Sequence, residues 1–238
     1  RPGMIQHAWT ITMNKKHVLA FVTCSAVFAD PAFADAGGFF EESHLSIKAR
    51  NFYMNRNFLD ARSAQNYSEA WAQGFIGTFE SGYTPGVVGV GADALALWGI
   101  KLDTGDGRRG GGTMLFPENR NGAENEYGQA GGAVKLRISK TQLKYGDQLM
   151  NLPVLATIDN RLLPETAQGG LLTSKEIEGL TLHVGHFTAL SKRDQTGHDS
   201  GHLERIDLLG GNYQLNKQLN LRAYHSDVDN YWRKEYLG

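Results

Sequence analysis

The sequence has little of three things that would fix its class: cysteine, long apolar runs and net charge. Its one cysteine, Cys24, lies in an apolar N-terminal stretch, so the rest of the chain has no disulfide framework. Only residues 18–28 approach a membrane span, and the mean hydropathy is −0.38. A helical membrane protein is therefore excluded, because a spanning helix needs about 20 apolar residues. The formal net charge of −1 indicates no ligand class.

The N-terminus predicts an export signal over residues 13–34. A basic start precedes the apolar core, and a small-x-small pattern ends at Ala34. Cleavage after Ala34 would leave residues 35–238 as the mature chain. Residues 1–12 begin with Arg rather than Met and have no structural pattern. We interpret them as translated upstream sequence.

From residue 45 onward, short alternating strands are joined by connections that are long and short in turn. Long connections are predicted at 55–70, 103–127, 148–170 and 191–202. Tight links are predicted at 84–86, 139–141, 178–179 and 216–217. Short turns on one side and long loops on the other are typical of an antiparallel, up-and-down transmembrane β-barrel. About nine strands fit, the last near residues 218–227, and the chain then reaches the start of another long loop. Because bacterial barrels close with an even number of strands, we expect the chain to be the N-terminal part of a larger barrel.

Each predicted strand has one apolar and one polar face. In residues 88–98, Val88, Val90 and Trp98 lie opposite Asp93. A soluble β-sandwich would give the same alternation with the apolar face inward, so periodicity alone leaves that alternative open. Aromatic residues near strand ends favour a barrel, where they form girdles at the membrane interfaces. They are Tyr53, Phe58, Trp71, Trp98, Tyr127, Tyr231, Trp232 and Tyr236.

The strongest candidate for binding is Arg161, in the segment 151–170. This segment contains more apolar residues than an exposed loop would, so we expect it to fold back into the lumen. An arginine held there presents a rigid donor fork that suits a carboxylate. The alternative is a structural arginine that ties the loop to the wall.

Three further basic residues, Lys135, Arg137 and Lys144, face inward by strand parity. They are possible lumen charges, and so are the inward acids Glu80 and Asp93. The alternative is that these bases and acids pair with one another.

Other motifs predict no catalytic or metal chemistry. Residues 105–110 spell GxGxxG, but no helix follows to bind a dinucleotide, so we interpret them as an outer loop. His183 and His186 differ by three positions in a strand, which puts them on opposite faces and argues against a zinc site. No Ser/His/Asp spacing indicates a nucleophile. The sequence therefore implies no cofactor, metal or nucleic acid.

Several segments resemble the OprD-type substrate-specific porins of pseudomonads, from about residue 37 to the end. They are GFFEES (38–43), RNFYMNR (50–56), WAQGF (71–75), KLD (101–103), LKYG (143–146), DNRLLPET (159–166), EGL (178–180) and YWR (231–233). The resemblance implies an eighteen-stranded, monomeric barrel in the outer membrane of a Gram-negative bacterium. It also implies a ladder of lumen-facing basic residues that guides small, mostly carboxylate-bearing solutes. Four arginines match such positions: Arg161, Arg50, Arg56 and Arg193.

The sequence therefore predicts an outer-membrane channel for small anionic or zwitterionic solutes, such as amino acids and organic acids. Strands ten to eighteen of the implied barrel are absent. The alternatives are an outer-membrane β-barrel enzyme, which needs a paired Ser and His, and a soluble exported β-sandwich that binds ligands.

Overall fold

The chain folds into one large antiparallel sheet with loops packed on one face. The structure, a computed structural model, describes residues 4–12, 38–58, 67–103, 113–119, 122–229 and 231–238. Its long strands are β1 Met4–Thr12, β2 His44–Asn57, β3 Tyr67–Glu80, β4 Val88–Lys101, β7 Glu126–Ile138, β8 Thr141–Gln148, β11 Thr166–Ser174, β12 Leu180–Ser191, β13 Ile206–Gln214, β14 Asn220–Val228 and β15 Trp232–Leu237. Four short strands form two separate ribbons: β5 Glu118–Asn119 with β6 Gly122–Ala123, and β9 Asn151–Leu152 with β10 Leu155–Ala156. The described residues contain no helix long and apolar enough to cross a membrane.

The topology is an up-and-down meander. The eleven strands of the main sheet follow one another in chain order, and β1 and β15 form its two edges. Residues 139–140, 175–179 and 215–219 connect strands on one side, whereas residues 149–165 and 192–205 connect them on the other. The expected alternation of short and long connections is therefore confirmed for these strands.

Two elements differ from the sequence expectation of nine strands. Residues 232–237, which were assigned to the start of a long loop, form β15 and pair with β14 from Val228↔Trp232 to Ala223↔Leu237. Because Val228 pairs with Trp232, the connection between β14 and β15 is short although it lies on the long-loop side, and the alternation stops there. A six-residue strand is too short for its period to be read with certainty from the sequence.

The second difference lies at the N-terminus, where no structural pattern was expected. The strand β1 pairs with β2 from Met4↔Met54 to Thr12↔Ser46. An edge strand offers a row of unpaired N–H and C=O groups, so any extended segment can add to it. The interpretation of residues 1–12 as upstream sequence stays a prediction, and the predicted signal at 13–34 lies outside the described residues.

The two faces of the sheet differ sharply in what covers them. The inner face, on which Arg50, Phe52 and Leu97 are buried, is covered by loops. The outer face is apolar and bare. Its large side chains, each at least 40% exposed, include Ile47, Trp71, Val88, Val90, Trp98, Val134, Leu136, Ile138, Leu143, Tyr145, Val184, Leu209 and Leu221. An apolar face of this extent is unsuited to water, which excludes the soluble sandwich and fits contact with lipid.

Loop residues complete the core on the inner face. Phe52, Ala72 and Leu97 of the wall pack with Phe116 and Leu162 of two long connections. Phe116 belongs to residues 103–127, which were predicted to be a long connection. Within it, Thr113, Leu115 and Phe116 are at most 1% exposed, so this part of the connection packs against the sheet. Burying a large apolar side chain contributes about 1.5–3 kcal/mol, which is enough to draw this part of the loop inside.

Candidate functional site

The inner loop, residues 149–165, crosses the inner face of the sheet and carries the first candidate residue, Arg161. Backbone bonds from Thr157 to the Met150 carbonyl (2.9 Å) and from Glu165 to the Ile158 carbonyl (3.0 Å) close it into a compact hairpin. Leu162 and Leu163 belong to the hydrophobic cluster that contains Phe52 and Leu97. Val154 and Leu155 belong to a separate cluster, which contains Phe187 and Leu208. The expectation that this segment folds back onto the sheet is confirmed.

Arg50 binds the inner loop. Its guanidinium donates to both carboxylate oxygens of Asp159, at 2.6 and 2.9 Å, and to the carbonyl oxygens of Arg161 and Leu162. The Arg50 side chain is 1% exposed. Arg50 therefore lies on the inner face, and its terminal nitrogens have protein partners.

Arg161 has fewer partners. Its only side-chain hydrogen bond among the described residues is from Nη1 to the Asn160 carbonyl oxygen, at 2.9 Å. Its Nε is buried and has no hydrogen-bond partner in this part of the chain. Burial lowers the pKa of Arg161, and the positive charges of Arg193 and Arg56 lower it further. An arginine has so high an intrinsic pKa that it keeps its charge, so the donors of Arg161 remain available to an anion.

Arg193 lies beside Arg161, since both side chains bind Asn160, and the charges of Arg193 and Arg56 lower the pKa of Arg161. Arg193 donates to the Asn160 amide oxygen at 2.9 Å and contacts the Met114 sulfur at 3.6 Å. The Arg56 guanidinium lies 5.5 Å from the centre of the Phe58 ring. We call Arg56, Arg161 and Arg193 the arginine cluster. Four arginines were expected to form a ladder. Three of them make up this cluster, whereas Arg50 is bound to Asp159 of the inner loop.

Three of the predicted lumen charges, Asp93, Lys135 and Lys144, form a separate ion network nearer the short turns. Asp93 lies 2.7 Å from Lys135 and 2.6 Å from Lys144. Lys135 also donates to the Ser81 carbonyl at 2.6 Å. Two of the proposed lumen bases therefore pair with Asp93, as the alternative interpretation expected.

Arg137 and Glu80 lie near this network without joining it. The Arg137 guanidinium stacks 4.2 Å from the centre of the Tyr83 ring. Glu80 lines a small cavity with Asp93, Lys144 and Asp147. Within the described ranges it has no ion pair.

Sequence reasoning missed four residues of the site. Asp159 binds Arg50 and lies 3.6 Å from Lys48, and Asn160 binds Arg193. Tyr127, assigned to an aromatic girdle, is instead 5% exposed on the inner face, and its hydroxyl donates to the Arg193 carbonyl at 2.8 Å. Lys48 lies two residues before Arg50 in β2, so strand parity could have placed it on the same inner face. Asp159 and Asn160 lie in an irregular loop, where no regular alternation of side chains indicates which way each one points.

His183 and His186 have separate partners and belong to no metal-binding group among the described residues. His183 contacts the Tyr224 hydroxyl at 3.1 Å, whereas His186 contacts Asp207 at 2.6 Å on the outer face. Their expected placement on opposite faces is confirmed. Among residues with described positions, no group of three or more His, Cys, Asp or Glu side chains could hold a metal. The GxGxxG segment at 105–110 lies outside the described residues.

Comparisons with known proteins agree with this architecture. Residues 37–238 match the family described as "outer membrane porin, OprD family". Porin D of Pseudomonas aeruginosa is 39% identical over 226 residues, which cover 91% of this chain and 49% of that protein. The crystal structure of P. aeruginosa OccK9 (OpdG) superposes with a TM-score of 0.78 and 38% identity, over 84% of this chain and 54% of that one. The structure of P. aeruginosa OpdK with vanillate gives 0.73 and 36%, over 84% and 53%.

The chain thus spans about half the length of the relatives that it matches. Its sheet corresponds to part of an antiparallel transmembrane β-barrel, and the relatives are outer-membrane proteins of Gram-negative bacteria. These relatives are porins rather than enzymes. The match extends over nearly all of the main sheet, the inner loop and the arginine cluster. The chain therefore belongs to the OprD family of outer membrane porins.

Proposed function

We propose that this chain contributes the wall and the constriction of a channel for passive, selective uptake of small carboxylate-bearing solutes. The observation that carries the proposal is Arg161, whose guanidinium has unused donors beside two other arginines. A planar donor fork pairs with both oxygens of a carboxylate. The relative whose structure contains vanillate, a carboxylate, supports the same solute class.

The arginine cluster would provide several weak binding sites for the solute rather than one tight site. Conduction needs solute binding that is strong enough for entry and weak enough for release. Asn160 binds Arg193 through one amide oxygen, which leaves part of that guanidinium for a passing anion. Glu80, which lines a small cavity and has no ion pair within the described ranges, would suit the cationic end of a zwitterion. We propose no catalytic role and no cofactor, and a single barrel as the working unit.

The test is replacement of Arg161 in the complete barrel. Arg161→Ala removes a charge-assisted donor worth about 1.5–3 kcal/mol, so uptake of small carboxylates should fall roughly tenfold or more while neutral sugars pass as before. Arg161→Lys should restore part of the effect, because lysine keeps the charge but lacks the planar fork. The measurement is liposome uptake of a carboxylate series against a neutral sugar.

A matched control removes the same charge elsewhere. Arg233 lies on the outer face and is 76% exposed, so Arg233→Ala should leave uptake unchanged. The selectivity should also weaken at high ionic strength, since exposed charges act through water. If Arg161→Ala, Arg161→Lys and the wild type transport all solutes alike, the proposed role of the cluster is wrong.

A further inference from the structure

The apolar outer face of the sheet ends in a sharp boundary on strands β11–β14. Two neighbouring cross-strand rows mark it. The apolar row consists of Leu172, Val184, Leu209 and His225. The next row towards the long connections, here called the polar row, consists of Gly170, His186, Asp207 and Asp227. Three residues of the first row are aliphatic and three of the second are ionisable, so the apolar band ends between them.

A groove of about 430 Å³ crosses this boundary. Its polar end contains His186, Asp207 and Asp227. Its apolar part lies between Leu143, Leu172, Val184 and Leu209. These residues belong to β8 and to β11–β14, so neither edge strand of the sheet contributes to the groove. A groove with one apolar part and one charged end suits an amphipathic ligand.

Gly170 keeps the groove open. Its φ lies outside the left-handed region, so its backbone does not require glycine. A Cβ atom added there would have one described atom within 4 Å, Tyr145 Cδ2 at 3.5 Å, which is an ordinary contact. A glycine inside a strand gives up packing and often marks a place where a ligand or another backbone approaches closely. No described backbone atom lies that close to Gly170, and the space beside it is therefore available to a ligand.

Partly exposed charges surround the polar end of the groove. Arg205 Nε lies 3.0 Å from one carboxylate oxygen of Asp207, and Arg205 Nη2 lies 3.8 Å from Asp229. His186 Nδ1 contacts the other Asp207 oxygen at 2.6 Å. These four side chains are between 41% and 59% exposed. The groove thus ends in a guanidinium and several carboxylates that a ligand can reach.

The depth of these charges indicates which part of the membrane they meet. In a barrel of this kind the short turns are periplasmic and the long loops extracellular, so the polar row lies towards the cell exterior. A charge on the lipid face is costly at the bilayer midplane and costs little near the interface. The polar row therefore lies at the level of the outer-leaflet headgroups.

The outer leaflet of a Gram-negative outer membrane consists largely of lipopolysaccharide, a glycolipid with phosphates, sugar hydroxyls and several acyl chains. Arginine pairs well with phosphate, and carboxylates accept hydrogen bonds from hydroxyl groups. The mixed charges at Arg205, Asp207 and Asp229 match a headgroup that has both phosphates and hydroxyls. The apolar part of the groove matches an acyl chain.

We propose that this groove binds one lipopolysaccharide molecule of the outer leaflet. An acyl chain lies between Val184 and Leu209, and the phosphorylated sugar contacts Arg205 and Asp207. A second barrel fits less well, because a stable protein interface buries about 1,200 Å² or more, whereas the polar groups here are confined to one end of a narrow groove. The site is on the outer face, so it is independent of the proposed uptake of solutes.

Two pairs of variants test the two halves of the site in the complete barrel. Gly170→Leu fills the groove, and Gly77→Leu is its control on the outer face of β3, where an added Cβ would contact Ala96 atoms at 3.7 and 3.9 Å. Arg205→Gln removes the charge at the polar end. Lys217→Gln is its control, because Lys217 is exposed at a short turn on the opposite side of the membrane.

The measurement is native mass spectrometry of the detergent-solubilised barrel. It is titrated separately with lipid A (the membrane anchor of lipopolysaccharide) carrying two phosphates, with dephosphorylated lipid A and with phosphatidylethanolamine. The wild type should bind one phosphorylated lipid A about tenfold more tightly than phosphatidylethanolamine, because charge-assisted bonds hold the headgroup. Gly170→Leu should weaken both forms of lipid A by about tenfold, since it excludes methylene groups from the groove. Arg205→Gln should weaken the phosphorylated form alone, and neither control should change binding.

Several outcomes would overturn the proposal. Equal affinity of the wild type for lipid A and phosphatidylethanolamine would show that the groove does not recognise the glycolipid. Equal weakening by Gly170→Leu and Gly77→Leu would place the lipid elsewhere. An effect of Arg205→Gln on both forms of lipid A, or on neither, would remove the headgroup assignment. A wild-type dimer that Gly170→Leu dissociates would assign the groove to a second copy of the chain.

Variants are compared only after heat-shift electrophoresis shows a folded barrel. If Gly170→Leu does not fold, the comparison of Arg205→Gln with Lys217→Gln decides the site.

Discussion

The ion network around Asp93 should be sensitive to the loss of one charge, because two of its three side chains are less than 10% exposed. The Asp93 carboxylate lies between Lys135 and Lys144, at 2.7 and 2.6 Å, on three neighbouring strands. The exposed fractions are 9% for Asp93, 8% for Lys135 and 23% for Lys144. Replacing Asp93 with alanine would therefore leave one lysine buried without a counter-charge.

The magnitude follows from that burial. Removing one partner of a buried ion pair costs about 3–5 kcal/mol. Lys135 would keep its bond to the Ser81 carbonyl, and the more exposed Lys144 can reach water. We therefore expect Asp93→Ala to lower the free energy of unfolding by about 3 kcal/mol, at the lower end of that range. Adding Lys135→Met should recover more than half of the loss, because an apolar side chain needs no partner.

The assay is urea unfolding of the complete barrel in lipid vesicles, followed by tryptophan fluorescence and linear extrapolation. Glu80→Ala is the matched control, since Glu80 faces the same cavity and has no ion pair in the described part of the chain. It should change stability by less than about 0.5 kcal/mol. A loss below about 1 kcal/mol for Asp93→Ala, or no recovery with Lys135→Met, would refute the reasoning.

Two further predictions concern the turn at residues 81–87 and the sheet edges. Burial raises the pKa of Tyr83 to about 12, so the stability that it contributes is lost as the pH rises from about 10, where an unfolded tyrosine ionises, to 12. Absorbance titration at 295 nm should show a late tyrosinate step that Tyr83→Phe removes, and a missing late step would contradict this. Residues 35–238 expressed alone would expose the edges of β2 and β15, whose unpaired backbone groups cost several kcal/mol each in hydrocarbon. We expect aggregation in bilayer reconstitution, and stable single-channel steps would contradict it.

The sequence by itself determined the sheet and its faces. Side chains alternate between faces with period two, so strand parity alone places Arg50, Asp93 and Lys135 inward, where Arg50 and Lys135 are buried and the Asp93 side chain is 9% exposed. Apolar content likewise predicted that the inner loop would pack on the sheet, because exposed apolar surface is unfavourable. The short turns at 139–140 and 215–219 followed from their sequences.

Only the tertiary structure decided which charges are available to a solute. Parity gives the direction of a side chain but not its partner, and the partner of Arg50 lies 109 residues away in an irregular loop. The sequence likewise does not show that Lys135 pairs with Asp93, whereas Arg161 keeps donors without partners in the described part of the chain. The burial of Leu115 and Phe116 and the pairing of β15 also depend on surfaces that distant parts of the chain provide. Strand periodicity is local and therefore readable, whereas neutralisation of a charge is a contact between distant segments and exists only in the folded chain.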